Sequence, residues 1–166
     1  MYRSKDFYLK SIYNTQGKKL GTVKDIYIDF YNGQVKGIKV ANYSVMTRKN
    51  YLAIEDIISF DEDIIGNNIV DGNGLKLTEI KGLEVIDKLG NIRGVVEDIL
   101  IDEESFKIKG LIVSLGLIDK MIRGKEIILV NRSVLGEDCI LYLGEPNIVV
   151  KNIPHEMSGY EYYKKA

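Results

Sequence analysis

The chain has 166 residues, 23 of them basic and 24 acidic, for a formal net charge of −1. That length fits one domain or two small ones, and it can bury roughly two thirds of its unfolded surface without disulfides or metal. Near-neutrality excludes a general nucleic-acid binder, which needs a basic excess to neutralise phosphates, and leaves room only for a local patch. Cys139 is the single cysteine, so there is no internal disulfide and no CxxC zinc spacing. Residues 1–6 lead into no apolar signal core, and the longest aliphatic run, residues 127–130, falls far short of the ~20 that span a bilayer. A cytoplasmic protein is expected.

In chain order, the first clear pattern begins at Gly17 and Gly21. Ile26 and Ile28 then alternate with Tyr27 and Asp29, the period of a half-buried strand. Val23 and Ile26 are three apart, which breaks that period and predicts a β-bulge or sharp bend near Lys24-Asp25. Asn32-Gly33 follows as a hairpin signal, because both residues tolerate positive φ, and Val35, Ile38 and Val40 make the return strand. The stretches 54–60 and 133–135 are read as a short helix or 3₁₀ turn. Residues 66–74 are dense in Gly, Asn and Asp and mark a boundary between two lobes.

Beyond that boundary the pattern is written again. Gly17 to Val40 lies over Gly90 to Val113 at a constant offset of 73, and ten of the 24 aligned pairs are identical. Tyr51-Leu52-Ala53-Ile54 matches Glu126-Ile127-Ile128-Leu129 at offset 75, so the second copy carries two extra residues. The break in period recurs between Val96 and Ile99, predicting a second bulge near Glu97-Asp98. Gly17, Gly21 and Gly37 repeat as Gly90, Gly94 and Gly110, and these glycines are expected where strands turn or approach closely. The expected division is 1–70 for the first lobe, 71–143 for the second, and 144–166 as a C-terminal strap or tail. Each lobe alone would have a thin core, so the two are expected to pack in a fixed orientation.

Gly-x-x-x-Gly-x-Val-x-Asp-Ile-x-Ile-Asp, followed by a hairpin and Lys-Gly-[Ile/Leu]-x-Val, resembles the PRC-barrel domain. That module occurs in the photosynthetic reaction-centre H subunit and at the C-terminus of the ribosome-maturation factor RimM. A two-copy chain of this length is similar to the stand-alone bacterial proteins of the YrrD type. The resemblance covers about residues 4–65 and 79–143. It implies an all-β fold of two tandem, SH3-like small barrels packed together. It also implies use in protein–protein contact, sometimes linked to RNA metabolism, with no catalytic residue to carry over.

Few residues are of a type that carries chemistry. Asp25 and Asp29, like Asp98 and Asp102, are four apart on a strand and would share a face if no bulge intervened. Paired carboxylates can do acid/base work or bind a cation. A plainer role is a soluble outer face and turn-shaping hydrogen bonds, and that role is expected here. His155, the only histidine, has no positioned partner, and Cys139 reads as a strand residue, so no Cys–His dyad is expected. No phosphate-binding glycine motif is present, and Gly72-Asn73-Gly74 runs into a strand-like Leu75-Lys76-Leu77.

The first lobe carries a basic and aromatic set: Lys18, Lys19, Tyr27, Tyr31, Tyr43, Arg48, Lys49 and Tyr51. Such a face could stack single-stranded RNA or anchor a protein, or it could be a solvated face with half-buried tyrosines. In the second lobe Phe30 and Tyr31 become Glu103 and Glu104. The expectation is a non-enzymatic adaptor with no catalytic residue, no cofactor and no metal. An unidentified protein partner comes first, RNA or the ribosome second, and open sheet edges allow a homodimer.

Overall fold

A computed structural model describes residues 1–42, 49–115 and 125–144, with the backbone of Val149–Val150. The first lobe builds a six-stranded sheet from β2 (Ser11–Tyr13), β3 (Lys19–Asp29), β4 (Gln34–Ala41), β5 (Tyr51–Ala53), β6 (Ile57–Phe60) and β7 (Ile64–Gly66), in the order β5-β4-β3-β2-β7-β6. The second lobe repeats it with β8 (Glu84–Asp87), β9 (Ile92–Ile101), β10 (Ile108–Ser114), β11 (Lys125–Ile128), β12 (Ser133–Leu135) and β13 (Cys139–Tyr142). Its order is β12-β13-β8-β9-β10-β11, extended at one end by β14 (Val149–Val150). In both sheets one pair is parallel, β2 with β7 and β8 with β13. The fold is all-β, and the two lobes are copies of one plan.

Both expected bulges are present. The β3–β4 register slips at Lys24, between the Val23 and Asp25 pairings, and the β9–β10 register slips at Glu97. Each slip turns the next residue inward, so Asp25 and Asp98 leave the outer face and are buried at 4% exposure. The hairpin differs from the Asn-Gly expectation. Asp29 pairs with Gln34 across a four-residue turn, and of its residues only Gly33 has positive φ, at 57°. Asn32 instead donates its backbone N–H and side-chain amide to Asp29, at 3.0 and 2.8 Å. Of the two stretches read as helical turns, 54–60 opens with a 3₁₀ segment, Ile54–Asp56, and continues as β6, whereas 133–135 is strand β12 and the 3₁₀ segment lies just before it, at Val130–Arg132.

The lobes exchange their opening segments. β1 (Tyr2–Arg3), which opens the first lobe, pairs with β9 of the second, Arg3 opposite Leu100. Residues 75–76, which open the second lobe, lie on β3 of the first: Lys76 bridges Tyr27, and Ile28 donates to the Leu75 carbonyl at 2.9 Å. The offset of 73 maps each contact onto the other, so the arrangement has an internal two-fold. The axis passes between Gln34 and Lys107, which bridge each other. On either side Val35 donates to the Phe106 carbonyl and Ile108 to the Gly33 carbonyl, at 3.0 and 2.8 Å. One apolar cluster runs through both lobes, from Phe7, Ile12 and Ile38 to Leu77, Ile99, Leu111 and Ile140. Neither lobe completes its own core, which is why their orientation is fixed.

Trailing segments cap each lobe's own edge. Val70 pairs with Tyr51 of β5, and Val149 pairs with Glu126 of β11. The described part of the C-terminal stretch therefore adds a strand to the second lobe's own sheet; residues 151–166, with His155, lie outside the described residues.

The repeated glycines divide between turns and close approaches. Gly17 and Gly90 precede β3 and β9 in the turns that lead into them. At the β4 and β10 centres a Cβ on Gly37 would sit 2.6 Å from the Leu52 carbonyl oxygen, and one on Gly110 would sit 3.0 Å from that of Ile128. Gly21 and Gly94 also share a close approach, since a Cβ on either would strike the carbonyl oxygen of Ala41 or Ser114 across the ladder. Their backbones nevertheless differ, a divergence the repeat did not disclose. Gly94 stands at φ 135°, whereas Gly21 has no positive φ, although the strand pairing shifts register beside both of them. Glycine at position 94 is thus required twice over, by conformation and by space.

Candidate functional site

The repeated aspartates serve the joint between lobes. Asp98 accepts hydrogen bonds from Ser4 N–H at 3.2 Å and Ile99 N–H at 2.9 Å on one oxygen. Its other oxygen accepts from Arg3 Nε and Nη2 at 3.2 and 3.0 Å, and Lys81 Nζ stands 4.0 Å from the first. Asp25 does the reciprocal job with neutral partners, accepting from Ile26 N–H at 2.8 Å and the Thr78 hydroxyl at 2.5 Å. Asp29 and Asp102 do the turn chemistry expected of all four. Asp102 accepts from the Ser105 hydroxyl and N–H at 2.7 and 3.0 Å, and these bonds hold its carboxyl down at about 2. Hydrogen bonds from Asn32, Asn91 and Lys76 likewise lower Asp29, Asp87 and Glu79.

Tyr8 lies in this joint. Burial, with the Asp25 and Asp98 carboxylates nearby, pushes its phenol up to about 12. It also lines a cleft of about 710 Å³ with Tyr2, Lys5, Lys10, Phe60 and Glu62. A phenol held that far above neutrality is a poor acid or base near pH 7. Among the described residues, no group of three or more His, Cys, Asp or Glu is placed to hold a metal, and no helix is long and apolar enough to cross a membrane.

The six described residues of the basic and aromatic set are spread over the lobe. Tyr27 is buried at 3% exposure, edge-on to Tyr51 with ring centroids 5.2 Å apart. Burial raises both phenols, and Tyr51 donates to the Lys36 carbonyl at 2.7 Å. Tyr31 is exposed and donates to the Leu135 carbonyl of the second lobe at 3.1 Å. Lys18 and Lys19 sit at the opposite end of β3 from Tyr31, with Lys19 over the Tyr13 ring, and Lys49 is exposed beyond β4. Tyr43 and Arg48 lie outside the described residues. Tyr27 thus belongs to the core, and the tyrosines do not share one stacking surface with the lysines.

The surface feature that sequence reasoning missed is on the second lobe. Ile92, Ile86, Leu141 and Val134 stand in one cross-strand row over β9, β8, β13 and β12, each paired with the next. Their neighbours Val85 and Ile140 are fully buried, so the row lies on the sheet's other face. Ile92 is 57% and Val134 42% exposed, and Ile86 and Leu141 are half-buried between them. The matching row on the first lobe is Lys19, Tyr13, Ile65 and Ser59, broken by a lysine at one end and a serine at the other. The signal for the second-lobe row was available: Glu84-Val85-Ile86-Asp87 and Cys139-Ile140-Leu141-Tyr142 put aliphatics at both parities, where a one-sided strand puts polar residues at alternate positions.

The two copies correspond to a known module. The PRC-barrel domain family model matches the chain twice, over residues 1–65 and 73–140. The chain is a member of the PRC-barrel domain family, with two copies in tandem. No curated protein matches it.

Proposed function

We propose that this protein is a non-enzymatic, cytoplasmic protein-interaction module that docks its partner on the outer sheet face of the second lobe. The carrying observation is the registered aliphatic row Ile92–Ile86–Leu141–Val134, left in solvent on one copy of a duplicated fold while the other copy interrupts it. An apolar stripe four strands wide costs solubility unless something covers it. Support also comes from the shifted carboxylates, all of which are engaged in turns and caps rather than converging on a cleft. Family membership points the same way, since PRC-barrel domains are a protein-interaction module type.

The test is affinity capture of the tagged full chain from cells that naturally make it, with and without ribonuclease, beside an Ile92→Lys/Val134→Lys variant. The expected result is a protein retained through ribonuclease and lost with the variant. Co-elution of RNA and ribosomal proteins that vanishes with ribonuclease, and is indifferent to the variant, overturns the proposal in favour of an RNA-associated role.

A further inference from the structure

The charges that flank the aliphatic row identify what covers it. β8, β13 and β12 are short, so the row has two nearby borders, roughly 13 Å apart at 3.3 Å per residue. At one border stand Glu84, at the start of β8, and Glu137 and Asp138, in the turn closed by the Gly136 N–H bond to the Cys139 carbonyl at 2.9 Å. All three are exposed. At the other border stand Lys88, just past the end of β8, and Arg132, whose carbonyl accepts from Leu143 N–H at 2.8 Å beyond the end of β13. Both are exposed. Asp87, the acid at that end, turns its carboxylate onto the Leu89 and Asn91 amides at 2.9 Å. The face is therefore an apolar stripe with an acidic edge and a basic edge.

We propose that this face takes a second copy of the same chain, related by a two-fold axis running along the row. This rests on the reading of the row as a docking face and names its partner. A two-fold in that direction lays each aliphatic over its own counterpart and reverses the strand direction. The acidic edge of one copy then falls on the basic edge of the other, twice over. Such self-complementarity is the requirement of an isologous interface, and sheets stacked face to face with nearly aligned strands are a standard packing. A different partner would need only one set of complementary charges, and nothing would require its charge pattern to invert across the row. The assembly joins two two-lobed units through their second lobes and leaves both first lobes outward.

The experiment is sedimentation of the full chain over a wide concentration range, with three variants whose changes lie on exposed positions. Wild type is expected at twice the 18.8 kDa chain mass. The variant I92K/V134K is expected to weaken the dimer at least about tenfold. Glu84→Lys should weaken it several-fold and in a salt-dependent way, and adding Lys88→Glu to it should restore the dimer, because an axis along the row lays the start of β8 in one copy over the end of β8 in the other, so the swap re-forms that pair on both sides. A photo-crosslinker at position 134 should join two copies. A monomer at every concentration overturns the proposal, as does a dimer untouched by I92K/V134K or a double swap no better than Glu84→Lys. A cross-link from position 134 into residues 151–166 of the same chain, or to a different protein, overturns it too. In the last case, capture of that protein lost in I92K/V134K leaves the docking-face reading standing; loss of neither dimer nor capture removes both.

Discussion

Arg3 holds Asp98 across 95 residues of sequence and across the joint between the lobes, while the counterpart of Asp98 in the first lobe, Asp25, takes the uncharged hydroxyl of Thr78. The duplication kept the buried carboxylate twice and changed what satisfies it. Lys76, the counterpart of Arg3, bonds Glu79 at 2.7 Å instead. The joint is thus asymmetric in charge within a backbone that is nearly symmetric, and its two sides should respond differently to substitution.

Arg3→Ala leaves the Asp98 carboxylate at 4% exposure with its two backbone N–H donors and, as the one described cation still in reach, Lys81 at 4.0 Å. The Arg3 side chain is itself a third exposed, so water screens part of the loss. A cost of about 1–3 kcal/mol is expected, and Arg3→Lys should recover part of it. Thr78→Val strips Asp25 of its side-chain donor across the joint and should cost about 1–2 kcal/mol. Urea midpoints at constant slope read both. A change of slope would mean that the lobes had come apart rather than weakened.

Phe106 stands at φ 53°, the position that Gly33 holds at φ 57° on the other side of the two-fold. A bulky residue in the left-handed region is strained. The ring offsets that strain by joining Tyr2, Phe7 and Phe60, at centroid distances of 6.4, 6.3 and 5.8 Å, in an aromatic cluster that ties the first lobe's opening segment to the second lobe. Phe106→Ala keeps the strain and loses the ring, whereas Phe106→Gly loses the ring and releases the strain. Alanine is therefore expected to destabilise more than glycine, by about 1 kcal/mol, the reverse of their usual order in a strand or helix. Thermal melts of the two variants side by side decide it; alanine equal to or better than glycine would refute the account.

The duplication, the all-β class and both bulges were legible because each is written in local spacing: an offset of 73 and a three-residue gap between Val23 and Ile26. The exchange of opening segments was not. Periodicity says that Ile26 faces a core, and is silent on whether residue 3 or residue 76 lies beside that strand, because the pairing joins positions with no fixed sequence separation. The same blindness misplaced Tyr27. It alternates with Ile26 and Ile28 as an outward residue should, and is buried because the Lys76 segment bridges it and Tyr51 packs on its ring. Asp25 and Asp98 would share a face with Asp29 and Asp102 only without a bulge, and the bulges predicted at Lys24-Asp25 and Glu97-Asp98 turn them inward instead.

In acid, the depressed carboxyls set the response. Asp102 falls from its ordinary 3.8 to about 2 through its Ser105 bonds, and Asp29, Asp87 and Glu79 fall for similar local reasons. A carboxyl lowered by folding contributes stability that is present above its unfolded value and is lost as pH falls through its folded one. Stability should therefore decline between about pH 4 and pH 2. Asp102→Asn should flatten part of that decline, since the amide oxygen keeps an acceptor for Ser105 without titrating. Chemical denaturation at stepped pH is the measurement; an unchanged pH slope in the variant would count against the assignment.

In base, Tyr8 governs. Its phenol is raised from 10.0 to about 12, first by burial and then by the Asp25 and Asp98 carboxylates on either side of the joint. A raised folded value means that the unfolded chain loses this proton first, so the contribution is whole below pH 10 and is lost as pH climbs through 12. Tyr8→Phe removes the titrating group, and its stability should be flatter than wild type across that window. Asp98→Asn takes away one of the two neighbouring charges and should bring the Tyr8 phenol down toward its ordinary value. Phenolate absorbance during alkaline titration, compared among wild type, Tyr8→Phe and Asp98→Asn, separates these effects. If the late-titrating phenol stays put in Asp98→Asn, the carboxylate across the joint does not act on it.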